Sequence, residues 1–575
     1  VSRRLLGMDY PQGYLNLAWK YLLRNHPHDS ICGCSIDQVH RDMAYRFEQC
    51  EQIGERVLLE REQVVAASIK GEELDEKRFR VVFFNPLPHP VDGPVDVTLE
   101  IPADWPWFQE FFGFEKKPAF RVFNGGGEEI PYQRNGQTLG LGGMRTYRAM
   151  LPEPRKYDEV SITLPVEIPA MGYIAVDVCA GEESVPTRHP VEPNLVRDSR
   201  HAENEHLAVR INENGTFRLT DKATGEVYDG LNYFESDADI GDGWYHGVAV
   251  NDVIHNSEGQ RANISVVEQG PLAAAFRVEL KWELPDSFDF KAMRRREDRP
   301  KVLRLSSLVR LRRGSRVVDV KTTVYNETRD HRLRAHFPAE TNAKTFLTDS
   351  VFDVVERTIG VRKDNHELME LDVETKPQQS FCAVKDGARG LAVVANGLME
   401  SCVRDQERQP IALTLMRCTG RTVNTNGEPE GQLEGEWTFE YSVTPFGGES
   451  DLIRLFYQGQ RLMTDGVKSV QMQKQDLVDY PVSATLPAQR EHIGVHGHVV
   501  ITSLREHEGA TELRLFNPLG SSQRCTLTLG ALADCYRGAQ PVDFRGEKTG
   551  EALSFEAGKL ALEVEAKRIV TLRLG

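Results

Sequence analysis

Apolar residues recur every three to four positions near the start of the chain and every second position through most of the rest. In YLNLAWKYLLRN, Leu15, Trp19, Leu22 and Leu23 fall on one stripe, the period of an amphipathic helix. Val39, Met43, Phe47, Cys50, Ile53 and Val57 repeat at similar spacing and predict a long second helix. Ser35 followed by Gln38 fits a capping box at its start, with Gln38 reaching back from the third helical position. The pattern predicts a helical hairpin over residues 1–72, with NHPHDSICGCS, residues 25–35, at its tip.

The charged junction KGEELDEKRF, 70–79, ends the helical period. Alternation then sets in at RVVFFNPLPHPVDGPVDVTLEIP and predicts a small β-sandwich over 79–182. GEESVPTRHPVEPN reads as a Pro-rich linker. LAVRINENGTFRLTD, VVDVKTTVYN and WTFEYSVTPF place a large β-sandwich over 195–455, followed by a connection over 456–490 and a C-terminal β domain over 491–575. Phe-Asn-Pro-Leu ends a strand-like run twice, in VVFFNPLP (81–88) and LRLFNPLG (513–520), which reads as two similar strand ends or as duplication of a small β domain. The fold class is therefore mainly β, with an N-terminal α-helical hairpin and several β-sandwich domains.

A chain of 575 residues exceeds what one core fills, so several domains are expected. Seventy Lys and Arg against 86 Asp and Glu give a formal charge of -16, which argues against nucleic acid or an anionic membrane as the main partner. No apolar run approaches the roughly 18–20 residues of a membrane span. Nine scattered cysteines are too few for a disulfide scaffold and predict reduced thiols and a cytoplasmic chain. The opening VSRRLLGMDY begins with Val1 rather than Met and lacks a secretion-signal core.

The tip concentrates His26, His28, Asp29, Cys32 and Cys34. Imidazole, carboxylate and thiolate all suit zinc. Three readings stand side by side: a complete His/Cys site, side chains that cap helices and turns, or a share of a metal site whose other ligands lie elsewhere. In FESDADIGDGWYH, Asp237, Asp239 and Asp242 suggest either calcium oxygens or acidic turn chemistry. Arg357 reads as a strand-end arginine beside Glu356 or Asp353. Asp330, His331, Arg332, Arg334 and His336 read as a strand presenting charges for domain packing. No phosphate loop and no G-x-S-x-G elbow occurs.

LLRNHPHDSICGCSIDQVHRDM closely resembles the helical-domain segment of glycoside hydrolase family 38, the zinc-dependent α-mannosidases. DSVFDVVERTIG, RDHRLRAHFP, SFCAVKDGARGLAVVANGLMESCV, IALTLMRCTGRTV and LEGEWTFEYSVTPF resemble the large β domain of its bacterial members, in the right order. The resemblance implies a galactose-mutarotase-like large sandwich. It makes His28 a zinc ligand, Asp29 a contact to sugar hydroxyls, Tyr245 a side chain reaching the mannose with Trp244 as stacking platform, and Arg357 a residue of the substrate rim. Cys32 and Cys34 become packing residues, and His26 either supports the metal ligand from behind or is structural. The family's N-terminal α/β unit, with the nucleophile, the acid/base and the other zinc ligands, is expected outside this sequence. The chain would then be the C-terminal two-thirds of a retaining exo-α-mannosidase. One zinc ion, a mannose-containing carbohydrate and a homodimer go with that reading. A non-catalytic carbohydrate-binding or scaffold protein and one half of a split glycosidase are the alternatives.

Overall fold

The helical period at the start becomes two packed helices, α1 (Gln12–Leu23) and α2 (Asp37–Ala67). They belong to a computed structural model that describes residues 2–108, 114–148, 150–182, 193–422, 425, 427–480 and 482–575. At 1.5 Å per residue α2 is about 46 Å long, and it is anchored at both ends. Val64, Val65, Ala66 and Ala67 sink into a core with Val82, Tyr173 and Val470. At the other end the backbone N–H of Asp37 donates to Glu428 Oε2 at 2.9 Å, and Asp37 Oδ2 accepts from the N–H of Glu430 at 3.1 Å.

That long-range contact replaces the expected capping box. Ser35 Oγ instead donates to the Asp29 carbonyl at 2.7 Å, and the Gln38 amide binds Asp42. The residue before the helix is Ile36, with no side-chain cap. A carboxylate from the β region satisfies an N-terminal donor that a local cap would otherwise serve.

The described residues cover the stripe of α1 only in part: Leu15 and Leu22 are half-buried. Ala18 is its one buried residue, while Trp19 is 58% and Leu23 56% exposed. Tyr14, Leu17, Tyr45 and Phe47 are exposed on the same hairpin.

Beyond the hairpin every strand ladder among the described residues is antiparallel. Strands β1 (Arg78–Phe84) and β2 (Tyr173–Ala180) pair at the centre of a five-stranded sheet that faces a three-stranded one. Then β3 (Tyr233–Ala238), β4 (His331–Pro338) and β5 (Pro410–Cys418) lie side by side in a six-stranded sheet. It packs on a nine-stranded sheet around a core that includes Phe234, Phe276, Trp282, Phe337 and Tyr441. Helix α3 (Leu452–Met463) opens the stretch read as a connection, but that stretch returns to the first sandwich: Lys468–Met472 pairs with β1 and Gln489–Arg490 with β2. The last eighty residues again form a three- and a five-stranded sheet.

The repeated Phe-Asn-Pro-Leu marks the same corner in the first and last sandwiches. The side-chain oxygens of Asn85 and Asn517 accept the N–H two residues on, at 2.9 Å in both. Their amides donate to the carbonyl four residues on and to two carbonyls on a second segment.

Glu62, on the buried end of α2, is held up to about 7 by burial, which Lys468 only partly offsets. Its folded value lies above the unfolded one of roughly 4.3. Its contribution is therefore fully present below the unfolded value and is lost as pH rises to about 7. Glu62→Gln should remove that loss. Its stability relative to wild type should rise by about 3 kcal/mol between pH 4.5 and pH 8, as read by denaturant melts at both pH values.

Candidate functional site

The hairpin tip is built from the inside out. Asn25 is fully buried; its amide donates to the Met43 carbonyl at 2.9 Å and its oxygen accepts from Arg46 at 3.3 Å, which ties the end of α1 to α2. Pro27 then starts a single helical turn, His28–Ile31, and Gly33 reverses the chain at φ +77°, a conformation that suits glycine. The turn projects His28 and Asp29 outward, with side chains 84% and 59% exposed and Nε2 3.2 Å from Oδ1. The Cys32 and Cys34 sulfurs are 3.2 Å apart. Burial, with Cys32 and Asp29 nearby, pushes the Cys34 thiol up to about 12. Cys34 is buried and its carbonyl accepts from Thr422 Oγ1, so Cys34 packs the tip against the β region.

The second half of the site is the turn after β3. Asp239 Oδ1 accepts the N–H groups of Gly241 and Gly247, both at 3.0 Å. Ile240 N–H bonds the Gly247 carbonyl and Asp242 N–H the Tyr245 carbonyl. A Cβ on Gly241 would sit 1.9 Å from the Tyr245 oxygen, so only glycine allows this narrow neck. From β5, Arg417 clamps it, with Nε on Asp239 Oδ2 and a terminal nitrogen on the Asp242 carbonyl, both 2.8 Å. Gly243 meets the tip: a Cβ there would lie 2.5 Å from Cys34 Cα. Trp244 stands 6.4 Å from the His28 ring, centroid to centroid, and Tyr245 follows it, 57% exposed.

The calcium reading of this turn fails. Asp237 pairs with Arg332, Asp239 is bound as above, and Asp242 Oδ1 accepts the N–H groups of Trp244 and Tyr245. The acids are occupied in holding the turn.

Below it lies a buried ladder of charge. In register across β3 and β4, Tyr233 faces His336, Glu235 faces Arg334, and Asp237 faces Arg332. Glu235 also meets Arg404 at 3.2 Å. Burial opposes ionisation of Glu235, but the Arg334 and Arg404 guanidiniums outweigh it and hold the carboxyl well below the usual range. Burial leaves His331 and His336 neutral at pH 7, pushed down to about 3 and 4. The charged alternation read from the sequence is thus internal to one sandwich, where it fixes the strand that carries the turn.

The structure brings His28, Asp29, Trp244 and Tyr245 to one exposed ledge. Arg357 is elsewhere in its contacts: on an edge strand, Asp353–Thr358, it donates to Thr348 Oγ1 at 2.8 Å and to the Pro377 carbonyl at 3.3 Å. Sequence reasoning missed Gly243, Arg417 and Thr422. The glycine density of GDGWYHG was a signal for the first; nothing local announces the other two. As metal donors the tip offers His28 and Asp29. Among the described residues no group of three or more His, Cys, Asp or Glu could hold an ion. The donors fit one edge of a metal site.

Three comparisons say which known proteins the chain is similar to. Residues 202–421, which include the glycine-necked turn and β3–β5, match the family model described as glycosyl hydrolases family 38 C-terminal domain. A curated relative, "Putative mannosylglycerate hydrolase" of Halalkalibacterium halodurans, is 27% identical over 487 residues, covering 78% of this chain and 51% of the relative. The chain thus spans about half the length of that relative. An alpha-mannosidase from Enterococcus faecalis V583 superposes with a TM-score of 0.85 at 23% identity, over 100% of this chain and 64% of that one. A family 38 protein from Enterococcus faecalis gives 0.81 at 23% identity, over 100% and 67%.

Proposed function

We propose that this chain, which carries the C-terminal domain of glycosyl hydrolase family 38, is the C-terminal part of a zinc-dependent retaining exo-α-mannosidase. The observation that carries the reading is the ledge. A His–Asp pair 3.2 Å apart is left exposed on one element, opposite an aromatic pair on another, and both elements are held rigidly from behind. His28 would hold zinc, Asp29 and Tyr245 would bind mannose hydroxyls, Trp244 would stack on the sugar, and Arg357 would serve the rim. A zinc ion bound there would orient the sugar's vicinal hydroxyls. The chain's own groups position: Asp29 accepts a hydroxyl proton in a hydrogen bond, and the two aromatic rings shield one sugar face from water. Retention needs two carboxyls about 5–5.5 Å apart, which we place on an α/β unit seated against the hairpin. The partly uncovered apolar face of α1 suits such a unit, and the relatives are longer than this chain. The exposed His–Asp pair favours this reading over a scaffold protein, for which such a pair has no evident use. Terminal α-mannosides are the substrate class, with mannosylglycerate included by the name of the relative.

Assayed alone with added zinc, the chain should not turn over p-nitrophenyl α-mannoside or mannosylglycerate. Zinc should still shift the His28 imidazole resonances weakly, less so in Asp29→Ala. Turnover by the chain alone, or zinc-induced shifts confined to other histidines, would refute the proposal.

A further inference from the structure

Far from the ledge, a cavity of about 1030 Å³ opens where α2, the first sandwich, the large sandwich, α3 and the C-terminal sandwich meet. Its size reaches the upper end of small-molecule sites, about 300–1,000 Å³. Leu87, Met171, Phe456 and Phe516 form apolar walls, each from a different part of the chain.

Four polar atoms on this wall are unsatisfied, although Asp349 Oδ2 accepts from Ser380 and the Gln460 amide donates to the Ile501 carbonyl. Arg61 Nε, Asp349 Oδ1, Gln460 Oε1 and His492 Nδ1 are buried without a hydrogen-bond partner. Buried polar atoms of this kind are rare in native proteins and call for an explanation. Glu62 is 91% buried, and no hydrogen bond or ion pair to it is formed among the described residues. Its nearest compensating charge, Lys468, is paired with Asp465 at 2.8 Å. One unpaired guanidinium nitrogen thus shares the wall with acceptors and with carboxyls that resist ionisation. Burial holds Glu62 up to about 7 and Asp349 up to about 6, and leaves His492 neutral at about 3.

We propose that this cavity is a binding site for an uncharged amphiphile with an apolar tail and a hydroxylated head. The tail would fill the walls of Leu87, Met171, Phe456 and Phe516. Hydroxyls suit the rest because each can accept from Arg61 and donate to Glu62 or Gln460. Groups of both signs, Arg61 and Lys468 beside Glu62 and Asp349, line the same wall. Neither an anionic nor a cationic head is therefore matched by a wall of opposite charge, whereas a neutral hydroxyl can serve both. The site is separate from the mannoside ledge and does not depend on that reading.

The test is calorimetric titration of the full chain with octyl β-D-glucopyranoside below its micelle concentration. We expect saturable binding of one molecule per chain, no binding of methyl β-D-glucopyranoside, and at least tenfold weaker binding of octanoate and octylammonium. Arg61→Met should weaken binding at least tenfold, while Arg524→Met, at a side chain 92% exposed on the C-terminal sandwich, leaves it unchanged. Thermal melts establish that both variants fold. Should Arg61→Met fail to fold, Met463→Trp at the cavity mouth, where Met463 is 52% exposed, is expected to give the same loss. No saturable binding to the folded wild type, equal affinity for all three head groups, or folded cavity variants that bind like Arg524→Met would each overturn the proposal.

Discussion

Arg334→Met should destabilise the protein by about 3–5 kcal/mol, because it strands the buried Glu235 carboxylate without its closest cation. Arg334 is 2% and Glu235 8% exposed, and the two face each other in register across β3 and β4. Arg404, at 3.2 Å from Glu235, remains but is also committed to Glu374. A buried charge without a partner costs far more than the pair contributes while intact. The change should appear as a lower denaturant midpoint. Replacing Glu235 as well, in Glu235→Leu/Arg334→Met, should recover most of the loss. A single variant within 1 kcal/mol of wild type would mean that the ladder does not hold β3. The functional consequence follows from connectivity: β3 runs directly into Asp239 and the turn that carries Trp244 and Tyr245.

Gly243→Val should separate the hairpin tip from that turn. Its Cβ would lie 2.5 Å from Cys34 Cα and 2.8 Å from the Gly33 oxygen, both backbone atoms that cannot swing away. Overpacking of this kind costs about 1–3 kcal/mol, enough to shift a docked tip towards an undocked one by roughly five- to 150-fold. Limited proteolysis should cut within residues 25–36 faster in the variant, and Trp244 emission should move towards that of a water-exposed indole. Unchanged cleavage and emission would show that the contact is not needed to hold the tip.

Periodicity was a sound guide to element type along this chain and a poor guide to what covers each element. The recurrence of Val39, Met43, Ile53 and Val57 does mark a long helix, because its period depends only on local geometry. The stripe of Trp19 and Leu23 equally marks a helix face, yet its burial depends on a neighbour, and the described residues leave more than half of both side chains exposed. The capping signal of Ser35 and Gln38 lost to Glu428, 391 residues from Asp37, a distance at which no local rule operates. Alternating charge in HRLRAHFP identified a strand, but its partners, Glu235 and Asp237, follow from register, which is tertiary. At the site, resemblance singled out His28, Asp29 and Tyr245. The juxtaposition of His28 with Trp244 needed the fold, because it rests on one glycine approaching one cysteine backbone.

The central claim is that the tip supplies one edge of a metal site and no more. It is tested most directly by measuring zinc per chain after exhaustive dialysis, in wild type and in His28→Ala. An exposed His–Asp pair with no third donor among the described residues predicts little retained zinc in either protein. Near-stoichiometric zinc in wild type that is lost in His28→Ala would contradict it, because the chain would then complete the site by itself.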